Sequence, residues 1–371
     1  MSPGRHKRAR PRSKLCWQSY SRRRGEASAP FGCHGGRAGM SSALRRYAHL
    51  NARVRARLAR LPGRRQLETL AAYPDELSLR RELAAFGATT DLGAVLAAFD
   101  VVLALLDGPA CDVVESYRAR YECENLKLLL RAVELRTPYE GIRPLLYAVG
   151  DLGPGDKAQE LLMAQTLVDA VSFLPPLPFG LVLRRHMRAA GAAGAERFRL
   201  ETVAEREVYE RLWEGVGRLD RGDRESATRV LGTKLDCVNL GRSARLRVYH
   251  GLAPEEVLLY AIRAGRFLGS AERAVLAEVP PARWSAALAH TPYRAVLADA
   301  ETPPALELSL ERLLAREVSR ELSRNPFRLG IPLAYLILEE TLAADLRRLC
   351  EGKHFAWSES RILEGVATER G

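Results

Sequence analysis

Two stretches of this chain set a carboxylate and an amide one helical turn apart. The first is Glu122-Cys123-Glu124-Asn125-Leu126; the second, 114 residues later, is Asp236-Cys237-Val238-Asn239-Leu240. On a helix each such pair shares one face. Two chemistries suit the pairing. The carboxylate and amide could orient a proton or a metal-bound water, or they could bond a neighbouring element and fix its packing. A third, altered copy follows 106 residues further on, with Leu342 at the acid position and Asp345 at the amide position. Repetition favours the packing role, since one active site has no use for three copies. Glu122, Asn125, Asp236, Asn239 and Asp345 are therefore candidate structural or interaction residues.

Little else in the chain carries chemistry. The run from Gly150 to Gly155 is followed by Asp156-Lys157 and lacks the Gly-Lys-Ser/Thr ending of a phosphate loop. There is no GxGxxG after a strand, no HExxH and no GxSxG elbow. The seven histidines stand apart from one another, and the six cysteines form no CxxC pair, which argues against zinc and against a disulfide framework. Arg184, Arg185 and Arg188 could touch anionic lipid or simply form a solvated helix face. The sequence thus predicts no catalytic residue, no metal and no cofactor.

The elements that position the motifs read as helices. Leu126, Leu129, Leu130 and Val133 form one apolar stripe in the first copy; Leu342, Leu346, Leu349 and Cys350 form one in the third. Segments 93–106, 158–172, 203–219 and 306–323 carry the same period, and strand-like alternation is scarce. Ser42, Thr137 and Ser358 are the expected N-caps, with Pro138 and Pro254 at first helical positions. Gly150 and Gly265 are expected to close helices, and Gly352-Lys353 to make a turn. The predicted class is all-α. The spacing of the copies is too long for a solenoid repeat and indicates domain triplication, at 40–155, 156–269 and 270–371.

The charge distribution sets the N-terminal segment, residues 1–39, apart. The whole chain carries +12, yet ten Lys/Arg and a single acid precede Met40, leaving 47 bases against 44 acids after it. Residues 1–39, rich in Arg, Gly, Ser and Pro, are predicted to be a disordered basic extension, and Met40 reads as an alternative start. The nearly balanced remainder does not imply a polyanion-binding surface. A helical nucleic-acid- or polyanion-binding adaptor using the basic segment is the alternative function, and deleting that segment would discriminate. No apolar run is long enough to cross a membrane.

The C-terminal residues resemble a known family. Asn325-Pro326, Gly330, Leu333-Ala334-Tyr335-Leu336, Glu340, Leu346-Arg347, Gly352-Lys353 and Ser358-Glu359 through Ile362 form an ordered set. That set is similar to the C subunit of V/A-type ATPases (ATP synthases), the counterpart of the eukaryotic d subunit. The Glu122-x-x-Asn125-Leu126-Lys127 element and Tyr47 to Arg55 resemble its first repeat and its N-terminal helix. In the third copy the family has an acid at Leu342 and Asn at Asp345. The resemblance implies a funnel of three similar helical domains around a pseudo-three-fold axis. It also implies a non-catalytic rotor adaptor that links the central stalk to the membrane rotor ring and couples ATP synthesis or hydrolysis to proton or sodium transport. Its implied place is cytoplasmic, peripheral to the inner face of the membrane, with stalk and ring proteins as partners and no nucleic acid.

Overall fold

The fold, taken from a computed structural model, is described for residues 38–85 and 92–369. The predicted basic extension, apart from the two residues at its end, lies outside the described residues. Every regular element among the described residues is helical. The chain opens with α1 (Ala38–Leu58), α2 (Arg64–Ala71), α3 (Glu76–Ala85) and α4 (Leu92–Leu103). Ser42 lies inside α1 rather than at its N-cap, because the helix already begins at Ala38.

Three long helical stretches carry the repeated motifs. The first is α5 (Gly108–Arg118) with α6 (Arg120–Leu135), separated only at Ala119. Before the second comes α7 (Arg197–Gly217). The second stretch runs from Arg221 through a π turn at Thr228–Gly232 into α8 (Thr233–Val248). The third follows α9 (Pro303–Glu321) and is α10 (Gly330–His354), with the short α11 (Glu359–Glu364) after it. The helix preceding each stretch packs on the stretch of another copy: α7 lies on α5 and α6, α9 on α8, and α4 on α10.

The apolar pattern explains the layering. The N-terminal halves of the three stretches share one core. Val113 and Tyr117, Leu231 and Leu235, and Leu333 to Ile337 meet there with Val54 of α1 and Phe99 of α4. Each C-terminal half has a smaller core of its own. Leu126, Leu129, Leu130 and Val133 pack with Leu152, Leu161 and Phe179; Leu240 and Ala244 pack with Trp284 and Tyr293. Leu342, Leu346 and Leu349 pack with Leu67, Leu79 and Ile362. From Ser42 onwards the described chain forms one compact unit.

Four local expectations are corrected. The segment 158–172 is two helices, Asp156–Leu162 and Leu167–Phe173, because Thr166 and Asp169 form a reciprocal capping box that starts the second. Pro138, not Thr137, occupies the cap of the helix Tyr139–Ile142. Gly150 and Gly265 lie beyond the ends of their helices (Tyr139–Ile142 and Pro254–Tyr260), so neither closes one. Gly352 lies inside α10, where a Cβ would press on Ile362 at a hypothetical 2.5 Å; its missing side chain lets α11 dock closely. Ser358 does cap α11, its hydroxyl accepting from Arg361 N–H.

Replacing Thr166 tests the broken helix. Thr166→Ala should lower the unfolding free energy by about 1 kcal/mol in a urea titration, the usual worth of an N-cap hydroxyl. An unchanged midpoint would mean the chain is continuous through 158–172.

Candidate functional site: three clasps and a buried charge cluster

Each motif works as a clasp on a loop that lies further along the chain and returns to it. In the first, Asn125 Oδ1 accepts from Tyr147 N–H at 2.8 Å while its Nδ2 donates to Tyr147 C=O at 2.9 Å. Glu122 accepts from the N–H groups of Asp151 (2.7 Å) and Leu152 (3.3 Å). The second clasp repeats this. Asn239 accepts from Ile262 N–H and donates to the carbonyls of Ile262 and Ala264. Asp236 accepts from the N–H groups of Arg266, Phe267 and Leu268 and from Tyr293 Oη at 2.8 Å. All four side chains are buried, and each has its polar atoms satisfied by backbone groups of the returning loop.

The glycines explain themselves here. Gly150 has φ +66° and Gly265 φ +154°, and a Cβ at either would fall on the carboxylate of Glu122 or Asp236. Glycine is present because a carboxylate rests against bare backbone.

The third clasp keeps only half the pattern. Asp345, fully buried, accepts from Ala367 N–H (2.9 Å) and Thr368 N–H (2.8 Å), 22 and 23 residues on, the same reach as the two asparagines. Having no N–H to donate, it bonds Arg348 Nη1 at 3.0 Å in place of a carbonyl. Leu342, at the acid position, joins the apolar core beside it.

Two residues before each acid position stands a charged residue the motif search passed over: Arg120, Lys234 and Glu340, again 114 and 106 residues apart. The structure brings these three together. Glu340 pairs with Arg120, lies 3.5 Å from Lys234 Nζ, and accepts from Tyr117 Oη at 2.6 Å and Tyr121 Oη at 3.1 Å. The Arg120 guanidinium sits 4.7 Å from the Tyr117 ring centre and 4.4 Å from that of Tyr121. Burial alone would raise the Glu340 pKa; Arg120 and Lys234 outweigh it and hold the carboxylate below its ordinary range. Burial lowers that of Lys234. Extending the repeat register upstream by two residues is the signal that would have found the cluster.

A second set of ion pairs follows the same register. Glu205 of α7 pairs with Arg242 of α8 at 2.7 Å and lies 3.4 Å from Lys127 of α6. Burial opposes its charge, yet the two cations bring its pKa to about 2. The positions equivalent to Glu205 and Arg242 in the next copy are Glu311 and Arg348, which pair at 2.6 Å. Among the described residues no group of three or more His, Cys, Asp or Glu side chains is placed to hold a metal ion.

These features sit within a region matched by known proteins. The family described as ATP synthase (C/AC39) subunit matches residues 93–365, which include the three motif helices and the charge cluster. This chain belongs to that family. The A-type ATP synthase C subunit of Methanosarcina mazei is 25% identical over 271 residues, covering 72% of each chain. The V-type ATP synthase C subunit of Thermus thermophilus is 28% identical over 265 residues, 71% of this chain and 76% of its own. As a C/AC39-type chain it shows, among the described residues, no helix long and apolar enough to cross a membrane.

Two measurements probe the site of this C/AC39 protein. Glu340→Leu leaves Arg120 and Lys234 buried together, and should cost about 3–5 kcal/mol of unfolding free energy; adding Arg120→Met and Lys234→Met should recover much of it. A cost under about 1 kcal/mol for the single variant would contradict the geometry. The second concerns pH. Burial, against the two N–H bonds from Asp151 and Leu152, raises Glu122 from 4.5 to about 7. The folded chain then holds this proton more tightly than the unfolded chain. The resulting stabilisation is complete below the ordinary value and is lost as pH rises through about 7. Unfolding free energy should fall across that window, and Glu122→Gln should flatten the slope; an unaltered slope would mean that Glu122 is not its source.

Proposed function

We propose that this chain is a non-catalytic rotor adaptor of a V/A-type ATP synthase. It would link the central stalk to the membrane rotor ring and couple ATP synthesis or hydrolysis to proton or sodium transport. In this reading it lies at the cytoplasmic face, peripheral to the membrane, and folds as three similar helical domains at 40–155, 156–269 and 270–371 around a pseudo-three-fold axis, in a funnel.

The observation that carries the reading is the meeting of Arg120, Lys234 and Glu340. Residues at one position of three sequence repeats contact each other only if the repeats converge on a common line. The packing of α7, α9 and α4, each on the stretch of another copy, supports the same closed arrangement. So do the similar chains, which are C subunits of A-type and V-type ATP synthases. A part that transmits torque needs stiffness and shape. Buried ionic clusters and loops clasped through their backbones supply both, and the five motif residues, Glu122, Asn125, Asp236, Asn239 and Asp345, act in packing rather than in turnover.

The test is paired. The chain should co-purify with stalk and ring proteins, and Asn239→Leu, which strands buried N–H and C=O groups of the 262–264 loop at a cost of about 1–3 kcal/mol, should weaken ion pumping by the reassembled complex. ATP hydrolysis by the detached catalytic head should be unaffected. Nucleotide turnover by the purified chain, lost on changing Glu122 or Asp236, would replace the adaptor with an enzyme.

A further inference from the structure

The repeat register also picks out three exposed side chains. Leu135, Tyr249 and Phe355, again 114 and 106 residues apart, stand at the C-terminal ends of α6, α8 and α10. They are 76%, 58% and 64% exposed, among the most exposed large apolar residues described. Scattered exposed apolar residues need no explanation, but three at one register position do. Each lies 15 residues beyond its member of the charge cluster, about 22 Å further along a helix. Helices related by rotation about an axis carry equivalent residues to the same height, so on the three-fold reading the three tips lie at one end of the molecule.

Each tip also carries a cation. Arg136 follows Leu135 and donates to the carbonyls of Ala164 and Gln165. Arg247, near Tyr249, donates to the carbonyl of Ala277. Lys353 precedes Phe355, whose ring stacks on that of the half-exposed Trp357. Among the described residues none of these three cations has a carboxylate partner. An exposed apolar or aromatic side chain beside a cation outside any ion pair fits the boundary of a bilayer bearing anionic headgroups. A continuous lipid surface accepts three such points at any rotation.

We propose that these three tips form a tripod that rests on anionic lipid. The proposal depends on the three-fold arrangement, but not on which proteins the chain joins, so it can fail while co-purification with stalk and ring succeeds. The probe is a vesicle of mixed phosphatidylglycerol and phosphatidylcholine, set against phosphatidylcholine alone, with the full chain. Because the basic segment before Met40 would add its own charge attraction to anionic vesicles, the tips are read by difference. Leu135→Ser/Tyr249→Ser/Phe355→Ser should lower affinity for the mixed vesicles about tenfold or more. Arg136→Gln/Arg247→Gln/Lys353→Gln should lower it to a similar degree and weaken its salt dependence. Lipids brominated near the headgroup should quench tryptophan fluorescence in a Trp17→Phe chain and much less once Trp357→Phe is added. The proposal is overturned if the apolar triple variant binds as the parent does, or if quenching is absent or unaltered by adding Trp357→Phe. Loss of parent binding to an acidic protein partner in the triple variant, with vesicle binding intact, would place a protein there instead.

Discussion

The contact among Arg120, Lys234 and Glu340 is the constraint on which the arrangement of the long helices depends. A buried carboxylate is tolerated only with cations at hand, and here the cations come from two other copies of the repeat. Sliding any one helix by a turn would separate the partners and leave a bare charge in the interior. The shared core of Val113, Leu235 and Leu333 is less particular, since apolar side chains tolerate repacking when volume is conserved. Apolar burial draws the helices together, while the charges set their register.

The clasps extend the same logic outwards. Each loop that returns to its motif helix has backbone groups with no helical partner, and buried N–H groups must be satisfied. Asn125 and Asn239 meet a loop amide and carbonyl at once, which no apolar residue can do. Glu122 and Asp236 accept from successive N–H groups, and the loops answer with glycines at Gly150 and Gly265. The satellite cores of Leu126, Leu240 and Leu346 are closed by these loops, so polar clasp and apolar core are built from adjacent turns of one helix.

The helical class and the motif copies were legible because each depends on local spacing that survives into the fold. Leu126, Leu129, Leu130 and Val133 keep their stripe as a core. What sequence spacing could not give was partnership. Glu122 and Asn125 show which face they share, yet nothing in their spacing names Tyr147 or Asp151 as partners. Gly265 read as a helix stop because glycine is common there; its cause is the carboxylate of Asp236, far upstream in the chain. Gly352-Lys353 read as a turn for the same reason, while the packing of Ile362 keeps the helix going. The charge cluster escaped because Arg120, Lys234 and Glu340 differ in chemical type, and a search for repeated residues overlooks repeated positions.

That difference in type has its own consequence. Three identical charges at one junction would repel, and three apolar residues would let similar copies exchange places without penalty. Two cations and one carboxylate leave an excess positive charge. The rings of Tyr117 and Tyr121 beneath Arg120 ease it, as does the burial that loosens the Lys234 proton. The cluster is therefore asymmetric by composition, and each copy has a distinct role in it: Glu340 receives, Arg120 and Lys234 donate. A chain built from three similar parts gains from such asymmetry, because a junction holding two copies of one kind, as in an exchange between chains, would lose the carboxylate or bring like charges together. The third copy, which supplies that carboxylate, is also the one whose clasp has changed, with Leu342 for an acid and Asp345 for an amide. Its carboxylates Glu340 and Asp345 each take an arginine partner, Arg120 and Arg348, so at the amide position the copy that departs furthest from the motif adds an ion pair where the other two use an asparagine.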